Sequence, residues 1–291
     1  MKRLIVYILC ISICLCIAGC ARPDHGEIVA TTLPVYEFAL RICQGTDLTV
    51  SRLITEDVSC LHDYTLKVSQ MQAIENAKVI IISGAGLEDF LSDAIRNDSR
   101  ILDASSGIAL LCNSHTEHEH QHAHREENDP HIWLSVDNAK QMASNIYGYL
   151  CHQYPQHQSI FEKNMVYLDA ELSQLDAYAT EALSSLSTNK LITFHNGFGY
   201  LAEAYGLEIV HALEEESGAE ASAHELIELI QIVKDHNLTA VFTESNGSTS
   251  AATVISRETG IPVYTLDMAM STNSYFEAMY HNINTLKEAL Q

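Results

Sequence analysis

Residues 158–186 read QSIFEKNMVYLDAELSQLDAYATEALSSL, and this stretch, which contains neither glycine nor proline, decides the fold. Its apolar residues recur at spacings near three and four, as on one face of an α-helix. They are Ile160, Met165, Leu168, Leu172, Leu175, Tyr178 and Leu183. At about 1.5 Å per residue, a helix of this length measures roughly 40 Å. The stretch therefore predicts a rigid rod, unlike the flexible Gly/Ser-rich linkers that let domains swing widely.

On both sides of this rod, short β-rich apolar runs alternate with segments of helical spacing. The predicted strands are residues 27–32, 48–55, 78–83, 100–103, 190–194, 208–211, 240–243 and 262–266. The predicted helices between them are residues 36–43, 67–75, 87–95, 199–205, 223–236, 250–259 and 275–290. Such alternation is typical of parallel sheets covered by helices. The sequence thus predicts an α/β protein of two lobes, each with a mainly parallel sheet, joined by one long rigid helix.

The N-terminus predicts the compartment. Lys2 and Arg3 precede a short apolar run, which ends at Ile17-Ala18-Gly19-Cys20. Because the run is too short to span a bilayer permanently, it is interpreted as an export signal. The cysteine at this junction resembles the lipobox of bacterial lipoproteins, which implies cleavage before Cys20 and a lipid on its sulfur. An uncleaved anchor is the alternative, and either one leaves the chain on the extracytoplasmic side of a membrane.

These features divide the chain into five predicted parts. They are a signal peptide (1–19), a tether (20–26), an N-terminal lobe (27–154) with a His-rich loop (112–130), a connecting helix (155–188) and a C-terminal lobe (189–291). The net charge of −22 argues against nucleic acid as a partner, because a phosphate backbone would be repelled. Acidity attracts cations, but it also simply keeps an exported protein soluble.

Four cysteines besides Cys20 lie in the exported part, where disulfides persist. Three pairings of Cys43, Cys60, Cys112 and Cys151 are conceivable. The preferred pair is Cys43 with Cys60, which flank a short helix-strand unit, and this leaves Cys112 with Cys151. A role for Cys60 as a zinc thiolate, two residues before His62, is the alternative.

Residues 115–133, HTEHEHQHAHREENDPHIW, indicate a metal. Imidazole suits zinc, copper and nickel, and an isolated His-rich run indicates only that metal is handled nearby. Five histidines crowd into ten residues: His115, His118, His120, His122 and His124. A second, ordered set of ligands is needed to define a site.

Four residues supply this ordered set. In open parallel α/β sheets, ligands bind beyond the carboxyl ends of the strands. His62 and His131 follow strands of the first lobe, and His195 and Asp267 directly follow strands of the second. Three imidazoles and one carboxylate match a tetrahedral zinc shell in donor type and number. Weaker candidates are Glu244, as a fourth ligand or an orienting group, and Asp63.

These motifs resemble the zinc/manganese substrate-binding lipoproteins of bacterial ABC importers. The matching residues are the lipobox, His62-Asp63-Tyr64, Asp129-Pro130-His131-Ile132-Trp133-Leu134, Thr193-Phe194-His195, Phe198-Gly199-Tyr200 and Leu266-Asp267. The resemblance implies two α/β lobes joined by a long helix, a metal between them with His62, His131, His195 and Asp267 as ligands, and an accessory His loop. The chain departs from the family at Cys60-Leu61, Asn196 and Met268.

The sequence therefore predicts a lipid-anchored, extracytoplasmic receptor that captures Zn(II), delivers it to an ABC-type permease and performs no chemistry on it. A manganese receptor of the same family is the alternative, although imidazole at position 195 and the His-rich run favour zinc. We expect a monomer. Two other classes are considered, a secreted zinc hydrolase and a surface adhesin. No His-Glu-x-x-His helix supports the hydrolase.

Overall fold

The computed structural model of the protein describes most of the chain from residue 26 onward. The described residues are 26–56, 58, 61, 64–95, 98–112, 128–213, 221–245, 247, 249–270 and 274–291. They form two parallel sheets flanked by helices, and a long helix lies between the two sheets in the sequence. The predicted fold class is confirmed.

The N-terminal lobe contains a four-stranded parallel sheet with the order β2-β1-β3-β4. Its strands are β1 (Ile28–Ala30), β2 (Val50–Arg52), β3 (Val79–Ile82) and β4 (Ile101–Asp103). Its helices are α1 (Leu33–Ile42), α2 (Val68–Asn76) and the short α3 (Ser92–Ile95), which a 3₁₀ turn, Asp89–Leu91, precedes. The central strands β1 and β3 are almost wholly buried, because helices cover a parallel sheet on both faces.

The C-terminal lobe repeats the same strand order as β6-β5-β7-β8, again with parallel pairing. Its strands are β5 (Lys190–Thr193), β6 (Glu208–Ala212), β7 (Val241–Glu244) and β8 (Val263–Leu266). Its helices are α6 (Gly199–Tyr205), α7 (Ala223–Asp235), α8 (Ser250–Thr259) and α9 (Tyr275–Leu290). The carboxyl ends of these strands carry the candidate site residues.

Two helices, not one, lie between the sheets in the sequence. The predicted rod is α5 (Gln158–Leu183), which ends three residues before the end of the quoted stretch and is shorter at both ends than the predicted connecting helix, 155–188. It is preceded by α4 (Val136–Gln153), an 18-residue helix that the strand and helix assignment from sequence missed. Its buried face carries Val136, Ala139, Met142, Ala143, Ile146 and Leu150 at helical spacing. Ser135 begins the helix, because its side chain accepts a hydrogen bond from the Asn138 N–H.

The C-terminal helix α9 ties the two lobes together. The Tyr275 N–H donates to Glu37 Oε2 of α1 at 2.6 Å, and the Tyr275 ring meets Phe38 edge to face with centroids 5.1 Å apart. Arg41 of α1 bonds to Glu37, to Glu171 of α5 at 2.5 Å, and stacks on Phe276. The larger hydrophobic core accordingly runs through both lobes and α5. The rigid connection is therefore a packed helical layer rather than a bare rod.

Neither predicted disulfide is confirmed among the residues that the structure describes. Cys43, Cys112 and Cys151 are free thiols, so neither Cys43 with Cys60 nor Cys112 with Cys151 is formed. Cys60 itself lies outside the described residues. Cys43 is buried at the end of α1, and burial raises the pKa of its thiol to about 12. At neutral pH this thiol stays protonated and behaves as a small apolar side chain.

Candidate metal centre

Four predicted site residues lie at or beyond the carboxyl ends of strands. His195 follows β5 by two residues, Glu244 is the last residue of β7, and Asp267 is the first residue after β8. His131 reaches the same region from the connection that follows β4, just before a 3₁₀ turn, Ile132–Leu134. Parallel strands direct their following loops to one edge of the sheet, so the sequence brings these side chains to one region.

Two imidazoles from different lobes meet there. His131 Nε2 lies 3.3 Å from His195 Nε2, and the rings are nearly perpendicular with centroids 4.9 Å apart. Two zinc-bound nitrogens, each roughly 2.0–2.1 Å from the metal at a tetrahedral angle, also lie about 3.3 Å apart. His131 is 3% exposed. The pair thus has the separation of two adjacent corners of a tetrahedral zinc shell.

Asp129 orients His131. Its Oδ1 accepts hydrogen bonds from the His131 main-chain N–H at 2.9 Å and from His131 Nδ1 at 2.8 Å. A carboxylate on Nδ1 fixes the proton there and leaves Nε2 as the donor atom for a metal, an arrangement common around metal-binding histidines. Sequence reasoning quoted Asp129 only as part of a motif, although an Asp two residues before a candidate ligand was a usable signal.

Glu244 lies on the other side of the pair. Its Oε1 is 3.9 Å from His195 Nδ1, too far for a direct hydrogen bond but close enough for an ion pair with a protonated ring. It approaches Nδ1, whereas Nε2 of the same ring faces His131. A Cβ on Gly247 would come within 2.7 Å of Glu244 Cγ, so this glycine leaves room for the carboxylate. Glu244 thus approaches the ring nitrogen of His195 that does not face His131.

Hydrogen bonds from nearby residues of the C-terminal lobe hold Asp267 in place. Its Oδ1 accepts the Ala269 N–H at 2.7 Å, and its main chain exchanges two 2.7 Å hydrogen bonds with the buried Asn282 amide of α9. Asp267 is 6% exposed. The turn that follows it is tight, since Ala269 has φ +55°. The Ala269 N–H thus holds the carboxylate, and Asn282 of α9 holds the main chain of Asp267 at the carboxyl end of β8.

The loop after His195 is packed tightly against the pair. A Cβ on Gly197 would lie 2.6 Å from His195 Cδ2, 2.6 Å from Met268 Cε and 2.9 Å from His131 Nδ1. Trp133 is fully buried, and its Nε1–H donates to the Met268 carbonyl at 2.8 Å. Its ring lies 5.5 Å from that of His131. A side chain at position 197 would therefore force these neighbouring side chains to shift.

The predicted ligand His62, with Asp63 beside it, lies outside the described residues. The residues that flank this segment are linked, because the Tyr64 hydroxyl donates to Glu56 Oε2 at 2.8 Å. Burial opposes ionisation of Glu56, but hydrogen bonds from Lys67 and Tyr64 outweigh it and lower the pKa of Glu56 to about 2. Within the described part of the chain, no group of three or more His, Cys, Asp or Glu side chains is arranged to hold a metal.

Two further predictions also fall outside the described residues. They are the accessory histidines of the loop (His115, His118, His120, His122 and His124) and the lipidation site Cys20. Among the helices that the structure does describe, none is long and apolar enough to cross a membrane.

Comparison with known proteins places the chain in a family. The family described as zinc-uptake complex component A, periplasmic (ZnuA), matches residues 28–289, which is most of the sequence. The chain belongs to the ZnuA family. ZnuA-family proteins are solute-binding receptors and not enzymes, so the zinc hydrolase considered from the donor set is set aside.

Individual relatives agree with this membership. The chain is 34% identical over 241 residues to a protein of Treponema pallidum whose name describes it as metal-binding. The match covers 78% of this chain and 76% of that protein. It is 28% identical over 304 residues to the zinc-binding lipoprotein AdcA of Streptococcus pneumoniae, covering 97% of this chain and only 60% of AdcA. A crystal structure of ZnuA shares the fold with a TM-score of 0.78 at 28% identity, covering 91% of this chain and 99% of that chain.

Proposed function

We propose that the chain is an extracytoplasmic receptor that captures Zn(II) between its two lobes and delivers it to an ABC-type permease. The observation that carries the proposal is the His131–His195 pair, one imidazole from each lobe, with 3.3 Å between the two Nε2 atoms. Membership of the ZnuA family supports the same function. Zinc is the cargo, and the protein holds it without changing it.

We assign the ligands as His131, His195, His62 and Asp267. Imidazole-rich sites favour zinc, whereas manganese prefers carboxylates, carbonyls and water. Glu244 is assigned as the group that orients His195, because it approaches the ring nitrogen that does not face His131. Asp63 has no assigned role.

We further propose that a lipid on Cys20 tethers the receptor to the membrane and that the His-rich run collects zinc for the ordered site. The name of AdcA as a lipoprotein supports the first proposal. The number of adjacent histidines supports the second. The receptor acts as a monomer in this proposal.

Zinc titration of purified protein without a His tag tests the function. After dialysis against a weak chelator removes loosely held metal, one zinc per chain is expected to remain. Trp133 is the single tryptophan of the chain, so its fluorescence reports events at His131 without further labelling. A competing chelator then gives the Kd, and the same titration with manganese gives the selectivity.

The decisive variant is His195→Ala, and its control is His224→Ala on the exposed surface of α7. We expect His195→Ala to raise the zinc Kd on the order of a hundredfold or more, since it removes one of about four ligands. His224→Ala should leave the Kd unchanged. Equal Kd values for the two variants, or tighter binding of manganese than of zinc, would refute the proposal.

A further inference from the structure

The hydroxyl of Tyr200 bonds to two main-chain groups of the other lobe. Tyr200 lies in α6 of the C-terminal lobe and is 3% exposed. The Leu111 N–H donates to Tyr200 Oη at 2.9 Å, and the Tyr200 O–H donates to the Asp129 carbonyl at 3.0 Å. Both partners belong to the connection after β4 of the N-terminal lobe. One buried hydroxyl thus serves as acceptor and donor across the lobe boundary.

The two partners of Tyr200 are also bonded to each other. The Asp129 N–H donates to the Leu111 carbonyl at 2.8 Å, and the adjacent Cys112 and Asn128 form an antiparallel bridge. Leu111, Asp129 and Tyr200 therefore form a closed ring of three hydrogen bonds. Asp129 and Tyr200 are buried and Leu111 is partly buried, so loss of the hydroxyl would leave a main-chain donor and an acceptor without that partner. The main-chain position of Asp129 consequently depends on Tyr200.

Asp129 transmits this position to His131 through the two hydrogen bonds that its Oδ1 accepts from the His131 main chain and ring. The other carboxylate oxygen packs against the start of α6, where a Cβ on Gly199 would lie 3.0 Å from Asp129 Oδ2. Two neighbouring residues of α6 thus lie against Asp129, Tyr200 at its carbonyl and Gly199 at its carboxylate. The direction of His131 Nε2 depends on the carboxylate that these contacts hold.

We propose that Tyr200 is a positioning residue for His131: its hydroxyl holds Asp129 so that the carboxylate turns His131 Nε2 towards His195. The consequence for zinc rests on the proposed function. Because Tyr200 and Asp129 belong to different lobes, the orientation of His131 depends on the contact between the lobes. A displacement that separates Tyr200 from Asp129 weakens the hold on His131 and speeds the release of zinc.

The test compares Tyr200→Phe with Tyr205→Phe. Both changes remove one hydroxyl from α6 and keep the ring, but the Tyr205 hydroxyl donates to Asp176 at 3.2 Å, whereas the Tyr200 hydroxyl donates to Asp129. The first measurement is ¹⁵N NMR of the His131 imidazole in metal-free protein. We expect the Nδ1–H tautomer in the parent and in Tyr205→Phe, and a mixture of both tautomers in Tyr200→Phe. Asp129→Asn, which disturbs the same bond directly, provides the reference spectrum for lost orientation.

The second measurement is the rate of zinc release to excess chelator. Tyr200→Phe should release zinc faster on the order of tenfold, at the low end of what loss of an orienting partner of a metal ligand costs. Tyr205→Phe should match the parent. An unchanged His131 tautomer in folded Tyr200→Phe, or equal acceleration in both variants, overturns the proposal.

Two controls keep the outcome decisive. If Tyr200→Phe does not fold, as judged by circular dichroism, Gly199→Ala displaces the Asp129 carboxylate while keeping the hydroxyl, and the same tautomer shift is expected. A parent tautomer spectrum in Gly199→Ala would then overturn the proposal. If the parent protein binds no zinc, the proposed function fails, but the NMR comparison still decides the role of Tyr200.

Discussion

The two lobes have the same sheet topology, but the buried carboxylates at the carboxyl edges of their sheets have different partners. At this edge of the N-terminal lobe lies Glu88. Its buried carboxylate accepts hydrogen bonds from the Thr31 hydroxyl at 2.6 Å and from the Ser83 and Gly84 N–H groups at 2.7 and 3.0 Å. In the C-terminal lobe the carboxylate of Glu244 lies beside His195. The difference teaches that what a carboxylate does at this edge is decided by the donors around it.

The lobes also differ in how they supply their imidazoles. His195 comes from the C-terminal sheet edge itself, two residues beyond β5. His131 comes from the end of a long connection, whose base is bonded to Tyr200 of the opposite lobe. The C-terminal lobe therefore provides one imidazole and holds the other in place. In the described part of the N-terminal sheet edge, the carboxylate of Glu88 bonds only to donors of its own lobe.

The largest expected effect comes from crowding the C-terminal edge. Gly197→Ala places a Cβ 2.6 Å from His195 Cδ2 and 2.9 Å from His131 Nδ1, so both imidazoles must move. We expect the zinc Kd to rise on the order of a hundredfold, since metal sites tolerate displacements of only about 0.5 Å. Chelator competition measures it. Gly148→Ala in α4, where a Cβ meets nothing within 4 Å, is the control and should bind zinc like the parent.

A matched pair of carboxylate variants tests the contrast between the lobes directly. Glu244→Gln should raise the zinc Kd by about tenfold, because it weakens the group that orients His195. Glu88→Gln should leave the Kd unchanged, because its partners are donors of the N-terminal lobe. Both Kd values come from the same competition titration. The contrast would be broken if Glu88→Gln weakened zinc binding as much as Glu244→Gln.

Glu88 should instead appear in the pH dependence of stability. Burial raises its pKa in the folded protein from 4.5 to about 7, against the hydrogen bonds from Thr31, Ser83 and Gly84 that lower it. Between these values the folded protein holds a proton that the unfolded chain has released. The contribution to the free energy of unfolding is therefore complete below pH 4.5 and is lost as the pH rises towards 7, with a magnitude on the order of 1–3 kcal/mol.

Urea unfolding of metal-free protein at pH 4.5 and 7.5 measures this loss. Glu88→Gln should lower stability at both values, because a buried amide cannot accept from all three donors, but it should remove the part of the pH slope due to Glu88. The exposed Glu75→Gln in α2 serves as the control and should keep the parent slope. If Glu88→Gln kept the same pH dependence of the free energy of unfolding as the parent, the pKa of Glu88 would not be raised in the folded protein.

The smallest effect on binding is expected from the His-rich run. Deletion of residues 115–124 should leave the zinc Kd within about twofold, because the proposed ligands all remain, and should slow only the loading of zinc. Stopped-flow fluorescence of Trp133 at limiting zinc measures the loading rate. A large loss of affinity would show instead that histidines of this run belong to the zinc site.

Much of the fold could be predicted from the sequence. The strands were found near their observed positions, and α6, α8 and α9 were found at their observed bounds, because a buried parallel strand and an amphipathic helix have distinct apolar periods. Helix α4 was missed although Ser135 and the spacing of Val136, Ala139 and Met142 signalled it. Two of the six residues on its buried face, Ala139 and Ala143, are small, and small residues weaken a periodic signal.

The candidate site was predicted in part. The convergence of His131 and His195 followed from their places after strands of the two lobes, and the structure brings them together. The roles of Asp129 and Tyr200 did not follow, since a hydrogen bond across 71 residues of sequence has no local signal. The cysteine pairing was not confirmed, since the described cysteines are free thiols and spacing says nothing about whether two thiols face each other.

By itself, the sequence determined the two α/β lobes, the long helix, the acidic charge and the donor types, because these depend on local periodicity and on side-chain chemistry. Only the tertiary structure decided which groups touch: Nε2 against Nε2 in the histidine pair, Glu88 satisfied by its own lobe, and Asp129 held by a tyrosine of the other. Those contacts are set by how two sheets and three long helices pack together. Packing brings together residues that are far apart in the chain, so no single segment of the sequence predicts its geometry.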